Sequence, residues 1–182
     1  AQALKLQWAV SGLLPRPAAP AETVALVPAA ALSWHRVELP AGLHKQPARW
    51  QAALQGLLED RLLDDPSQLH LALQPDWHNL PRPWVAVCDR AWLSAHLQAL
   101  EQAGVQVHRI VPELHPPSDS APTRITALGD ADNAWVWVSH AERGVWGQTF
   151  NTETPHLAAL GLSDEERALA VTQAEPGVVQ AL

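Results

Sequence analysis

Residues 83–111 read PWVAVCDRAWLSAHLQALEQAGVQVHRIV, and this stretch decides the fold class. PWVAVC (83–88) is a short apolar run of strand length. Asp89 stands where a helix N-cap belongs. RAWLSAHLQALEQA (90–103) carries Leu93, Leu97 and Leu100 on one helical face, and Gly104 follows as a helix stop. VQVHRIV (105–111) then returns as a strand. Strand, helix, strand predicts a right-handed crossover with both strands parallel in one sheet, and hence an α/β chain.

On the N-terminal side, LHLALQ (69–74) reads as a strand and PARWQAALQGLLEDRLLD (47–64) as a helix. Pro47 suits a first turn, where its missing N–H is not needed, and Pro66 ends the run. Trp50, Leu54, Leu57, Leu58 and Leu62 keep helical spacing, which turns Gln51, Gln55, Glu59 and Asp60 outward. LSWHRVELP (32–40) alternates with neither side clean, as an exposed or partner-facing strand would. TVALVP (23–28) is nearly all apolar, as in a strand buried on both faces. LKLQWAV (4–10) alternates like a strand and is followed by the Pro/Ala-rich SGLLPRPAAPAE (11–22).

On the C-terminal side, ELHPPSDSAPT (113–123) is a Pro/Ser-rich boundary. RITALG (124–129), AWVWVS (134–139) and VWGQTF (145–150) are joined by DADN and HAERG, short polar links that predict an antiparallel meander. Ser163 and Glu166 form an S-x-x-E capping box opening a helix through Val171. Pro176-Gly177 breaks the chain, and VVQAL (178–182) starts another helix. The organisation is a first lobe over 1–112, a linker over 113–123, and the start of a second lobe over 124–182. Two units that each open with three strands form the pattern of a duplicated ribonuclease-H-like, actin-like α/β fold.

Composition removes several classes of function. Of 182 residues 47% are apolar, enough for a sizeable core, and 12 Lys+Arg against 19 Asp+Glu give a net charge of −7. No basic stripe is present to displace counterions, so nucleic acid is not expected as a partner. One cysteine, Cys88, excludes an internal disulfide and suits a reducing compartment. Cys88 reads as a small core residue. No apolar run reaches the ~20 residues of a membrane span, and the start lacks the pattern of a signal peptide. The expectation is a soluble, intracellular piece of a longer protein. Nine Trp beside one Phe and no Tyr or Met reflect coding bias more than function.

Catalytic constellations are hard to find. An actin-like ATPase needs an acid and a Gly-rich turn between the first two strands of each lobe, where backbone N–H groups hold phosphates. The corresponding turns, VSGLLPRP and GDADNA, have one Gly each, so the nucleotide site reads as degenerate and no cofactor is expected. The central strands lack the paired carboxylates of a two-metal nuclease. The nine histidines show no H-x-H or H-x-x-x-H spacing, and no metal site is expected. Trp135 and Trp137 share one strand face, with Val136 and Val138 on the other. With Trp146 they are either core or a protein-binding patch, since Trp is enriched in binding hot spots. The acidic helix end around Glu59 and Asp60 is a second candidate surface, with a solvated face as its plainer reading.

Six features in order carry a resemblance to a known family. They are Val27-Pro28 ending a strand, Leu39-Pro40 ending the next, A-L-x-x-L-L-E-D-x-L at Ala53–Leu62, and Asp64-Asp65 with Leu69-His70. The V-A-V-x-D-R-A-W run at Val85–Trp92 and the A-G-V…V-P-E run at Ala103–Glu113 complete the set. Over residues 23–113 the chain resembles the cytoplasmic domain of the type II secretion system protein L family. It departs at Gln55, where the family often carries Pro. The resemblance implies an actin-like fold without nucleotide hydrolysis and an inner-membrane protein that crosses the membrane once, downstream of Leu182. It also implies a scaffold that recruits the secretion ATPase, protein E, and links it to proteins M and F. The chemistry would then lie in the ATPase. The alternatives are an actin-like pilus assembly protein of the M type and an actin-like or sugar-kinase-like ATPase. Dimerisation is left open.

Overall fold

A computed structural model describes residues 22–40, 49–128, 134–150 and 160–174. The strand read at 4–10, nearly all of the Pro/Ala-rich stretch after it, the 129–133 link and the Pro176-Gly177 break lie outside the described residues.

Among the described residues the strands form three small sheets. The first pairs β1 (Val24–Val27) with β5 (Arg109–Pro112) in parallel. The second has β4 (Trp84–Asp89) at its centre, flanked antiparallel by β2 (Ser33–Arg36) and β3 (Leu69–Leu73). The third runs β8-β7-β6-β9, from β8 (Gly144–Phe150), β7 (Ala134–His140), β6 (Arg124–Leu128) and β9 (Val171–Ala174). The helices are α1 (Trp50–Leu58), α2 (Arg90–Gln102) and α3 (Asp164–Leu169).

The strand–helix–strand unit forms, but its strands do not share a sheet. Both edges of β4 are filled, by β2 and β3, so β5 leaves α2 and finds its partner in β1. β1 is not buried on both faces either: Val24 and Leu26 remain exposed while Val27 enters the core. The helix boundaries follow local chemistry. Asp89 accepts the N–H of Trp92 at the start of α2, and Gly104 (φ +73°) ends it by donating to Glu101. α1 is shorter than its apolar spacing predicts and passes into a 3-10 turn at Glu59–Arg61. Ser163 and Glu166 make both bonds of the capping box, yet α3 stops at Leu169. Val171, expected as the last helical residue, instead opens a strand that runs to Ala174 and pairs with β6, whose edge satisfies that backbone.

The packing has three centres. α1 lays Leu54 and Leu58 on the face of the second sheet that carries Leu69, Leu71, Val85 and Val87. α2 places Leu93 against Val27 and Cys88. Leu160 and Leu162 cover Ile125, Ala127, Val136 and Val138 of the meander. Cys88 is therefore a buried thiol, its pKa raised by burial and then by Asp89.

The Pro/Ser-rich stretch joins these parts. Pro116 and Pro117 are buried, Glu113 accepts the Ala29 N–H at 3.0 Å, and Asp119 pairs with Arg36.

Candidate functional site

The tryptophans of the meander occupy two different faces. On β7, Ala134, Val136 and Val138 point into the core, which leaves Trp135 and Trp137 on the opposite side. Their rings stack, with centroids 5.4 Å apart and planes 14° from parallel. Trp137 is buried and Trp135 is 38% exposed. Trp137 stands opposite Gly147 of β8 and Thr126 of β6, and opposed residues share a face. A Cβ on Gly147 would meet the indole at 2.5 Å from Cδ2 and 2.9 Å from Cζ3, so the absent side chain makes room for the ring. Trp146 turns the other way, packs on the meander core and donates its indole N–H to Leu160 at 3.0 Å. Arg143 lies 4.8 Å over its ring and bonds Glu166, tying the β7–β8 turn to α3. Ser163, followed by Arg143 and His140, holds the Glu166 carboxyl below its usual range. Trp135 and Trp137 thus form a pair, and Trp146 belongs to the core behind them.

The seam between the second sheet and the meander was not legible in the sequence. Trp34, Arg36 and Trp84 share a face of the β2–β4 ladder, since Arg36 stands opposite Trp84. Gly144 (φ +87°) closes the β7–β8 turn where a Cβ would come within 3.0 Å of Trp34 Cβ, so the hairpin sits directly on that face. Arg36 stacks 5.0 Å over Trp84, donates to the Ala141 carbonyl at 2.8 Å and pairs with Asp119 and Glu142. Its position in an alternating strand of mixed character was the only available signal.

The acidic turn after α1 leaves Glu59 and Asp60 exposed. It lies beside an open groove of about 380 Å³ whose lining includes Ser33, His35, Leu69 and Val87. Ser33 Oγ and His35 Nε2 are 3.1 Å apart. Half-burial, and then the Arg61 charge, push the His35 pKa down, so the ring is neutral near pH 7. A second open groove, about 690 Å³, follows the end of α2 and β5 between Leu97 and Ile110. The structure does not bring Glu59 and Asp60 together with the tryptophan pair. They belong to separate elements with separate cores.

Among the described residues no three His, Cys, Asp or Glu side chains form a group able to hold a metal ion, and no helix is long and apolar enough to cross a membrane. The titratable groups with shifted pKa serve as caps or sit against sheets: Asp65 is lowered chiefly by the Ser67 N–H, and His70 by burial and then Arg90. What the described surface offers is apolar side chains on anchored elements.

These features define an α/β protein with candidate binding surfaces carried on short sheets. The family described as "Type II secretion system (T2SS), protein L" matches residues 7–126, and the chain belongs to that family. The type II secretion system protein L of Dickeya chrysanthemi is 32% identical over 121 residues, which cover 66% of this chain and 26% of that protein. The chain is also similar to a solved structure described as the cytoplasmic domain of EpsL, an inner membrane component of the type II secretion system of Vibrio cholerae. Identity is 27% and the TM-score 0.54, over 78% of this chain and 55% of that one. A PilM–PilN type IV pilus biogenesis complex aligns at 14% identity and a TM-score of 0.43, over 80% of this chain and 50% of that one. The chain therefore spans about a quarter of the length of the curated relative and about half of the solved EpsL chain.

Proposed function

We propose that this chain is a cytoplasmic scaffold domain of an inner-membrane protein L and recruits the secretion ATPase, protein E, to the membrane platform that also holds proteins M and F. The observation that supports this most is the match of residues 7–126 to protein L, reinforced by 27% identity to the cytoplasmic domain of EpsL. The fold is read as actin-like with a degenerate nucleotide site. Both turns that would hold phosphate have a single Gly, and one lacks an acid. The scaffold binds through buried apolar anchors and complementary charge and leaves hydrolysis to its partner.

The test is calorimetric titration of this chain with the N-terminal domain of the cognate ATPase, with Mg·ATP as a separate titrant. Micromolar or tighter binding to the protein and none to ATP is the expected outcome. A ligand at a hundred times its Kd adds about 2.7 kcal/mol of stability, so nucleotide binding would also appear as a raised melting temperature. ATP binding without protein binding would refute the scaffold reading.

A further inference from the structure

The turn that closes α1 presents a prepared surface. Leu62 packs into the cluster under α1, with its N–H on the Leu58 carbonyl at 3.0 Å. Arg61 donates to the backbone carbonyl of Arg36 at 2.6 Å, which ties the turn to the edge strand β2. Two residues beyond Leu63, Asp65 caps the next turn by accepting the Ser67 N–H at 2.8 Å. Between these anchors Leu63 stands fully in solvent, ahead of the other exposed large apolar side chains of the described residues. The residues on both sides of it are anchored, so a partner that covers it orders little more than a short turn and the side chain itself.

The groove beside Leu63 complements it. Leu62, Leu69 and Val87 give it an apolar floor beside the polar Ser33, His35 and Arg61, and that floor accepts an apolar side chain from outside. Its rim is acidic. Asp64 and Asp89 line it and Glu59 and Asp60 are exposed on the same turn, so acids outnumber Arg61, which also lines the groove and keeps its charge while donating to the Arg36 carbonyl. We infer that Leu63 and this groove dock a basic protein face carrying an apolar pocket for Leu63 and an apolar side chain for the groove. Resting on the recruiting role proposed above, that face belongs to the N-terminal domain of the secretion ATPase. A second copy of this chain is the poorer occupant, because each copy carries a net charge of −7 and would bring more negative charge to an acidic rim.

The test titrates the full 182-residue chain with the ATPase N-terminal domain at low and high salt, using Leu63→Ser, the pair Glu59→Lys/Asp64→Lys, and, as control, Leu169→Ser at an exposed leucine of α3. Leu63 is outside the core clusters, and Glu59, at the C-cap of α1, and Asp64 are both exposed, so these variants should melt like the parent. Losing one buried leucine corresponds to binding weaker by about ten- to a hundredfold. The charge reversal should weaken binding further and flatten its salt dependence, and Leu169→Ser should leave Kd within about twofold. If the parent binds and Leu63→Ser binds equally well, the surface is wrong and the recruiting role stands. Loss on Leu63→Ser with no salt dependence refutes the basic partner face. No binding by the parent chain overturns the recruiting role and this surface together.

Discussion

Adding one methyl group at Gly147 tests the packing that holds the tryptophan pair. In an unobstructed strand, Gly→Ala stabilises by about 0.5–1 kcal/mol, because glycine loses more backbone freedom on folding. Here the new Cβ would lie 2.5 Å from Trp137 Cδ2 and 2.9 Å from Cζ3, closer than carbon atoms approach without displacement. The indole cannot simply tilt away, because Trp135 stacks on it 5.4 Å off, so the ring or strand β8 must shift. Overpacking of this kind costs about 1–3 kcal/mol. Subtracting the backbone gain leaves a net loss of about 1–2 kcal/mol. At about 2–4 °C per kcal/mol for a chain this long, Gly147→Ala should lower Tm by about 2–8 °C. The control is a double-mutant cycle with Trp137→Ala, measured by urea denaturation. With the indole gone, the methyl has space, so the Gly147→Ala penalty should vanish or change sign, giving a coupling of about 1–3 kcal/mol. Unchanged stability in the single mutant, or the same loss in both backgrounds, would refute the assignment of Gly147 as the seat of Trp137.

Two further outcomes concern the seam and two imidazoles of the second sheet. Arg36→Met should cost about 1–3 kcal/mol in chemical denaturation. It removes the bond to the Ala141 carbonyl and the cation over Trp84, whereas Asp119 and Glu142 are exposed and rehydrate, so the cost stays below that of stranding a buried charge. His35 and His70 both have pKa values pushed down, first by burial and then by Arg61 and Arg90 respectively. Their unfolded forms therefore take up protons at a higher pH than their folded forms, and stability rises with pH through that window. Tm should fall as pH drops below the ordinary imidazole range, until the depressed values are passed. Replacing both residues by Gln should flatten that part of the profile, and an unchanged slope would show that neither ring is responsible.

The sequence by itself determined much of the local structure. Asp89, Gly104, Ser163 and Glu166 act at the positions their chemistry predicted, because caps are local hydrogen bonds between residues a few places apart. The meander was legible for the same reason: HAERG turns the chain between β7 and β8 where a short polar link was read. Family membership was legible too, in six short motifs between Val27 and Glu113. Tertiary structure decided the rest. Only pairing shows that β4 has both edges filled, so that β5 joins β1, and that Val171–Ala174 completes the meander as a parallel strand. Strand edges are satisfied by segments far apart in the chain, and no local pattern encodes which one arrives. The same holds for the surfaces. Trp135, Trp137 and Trp146 look equivalent as residues, yet Gly147 opposite one ring and Leu160 beyond another place them on different faces. Leu63 sits in a run that reads as continuing helix, and it is left in solvent because α1 ends at Leu58 and Arg61 ties the turn to β2. Exposure is a property of what packs nearby, and distant parts of the chain supply it.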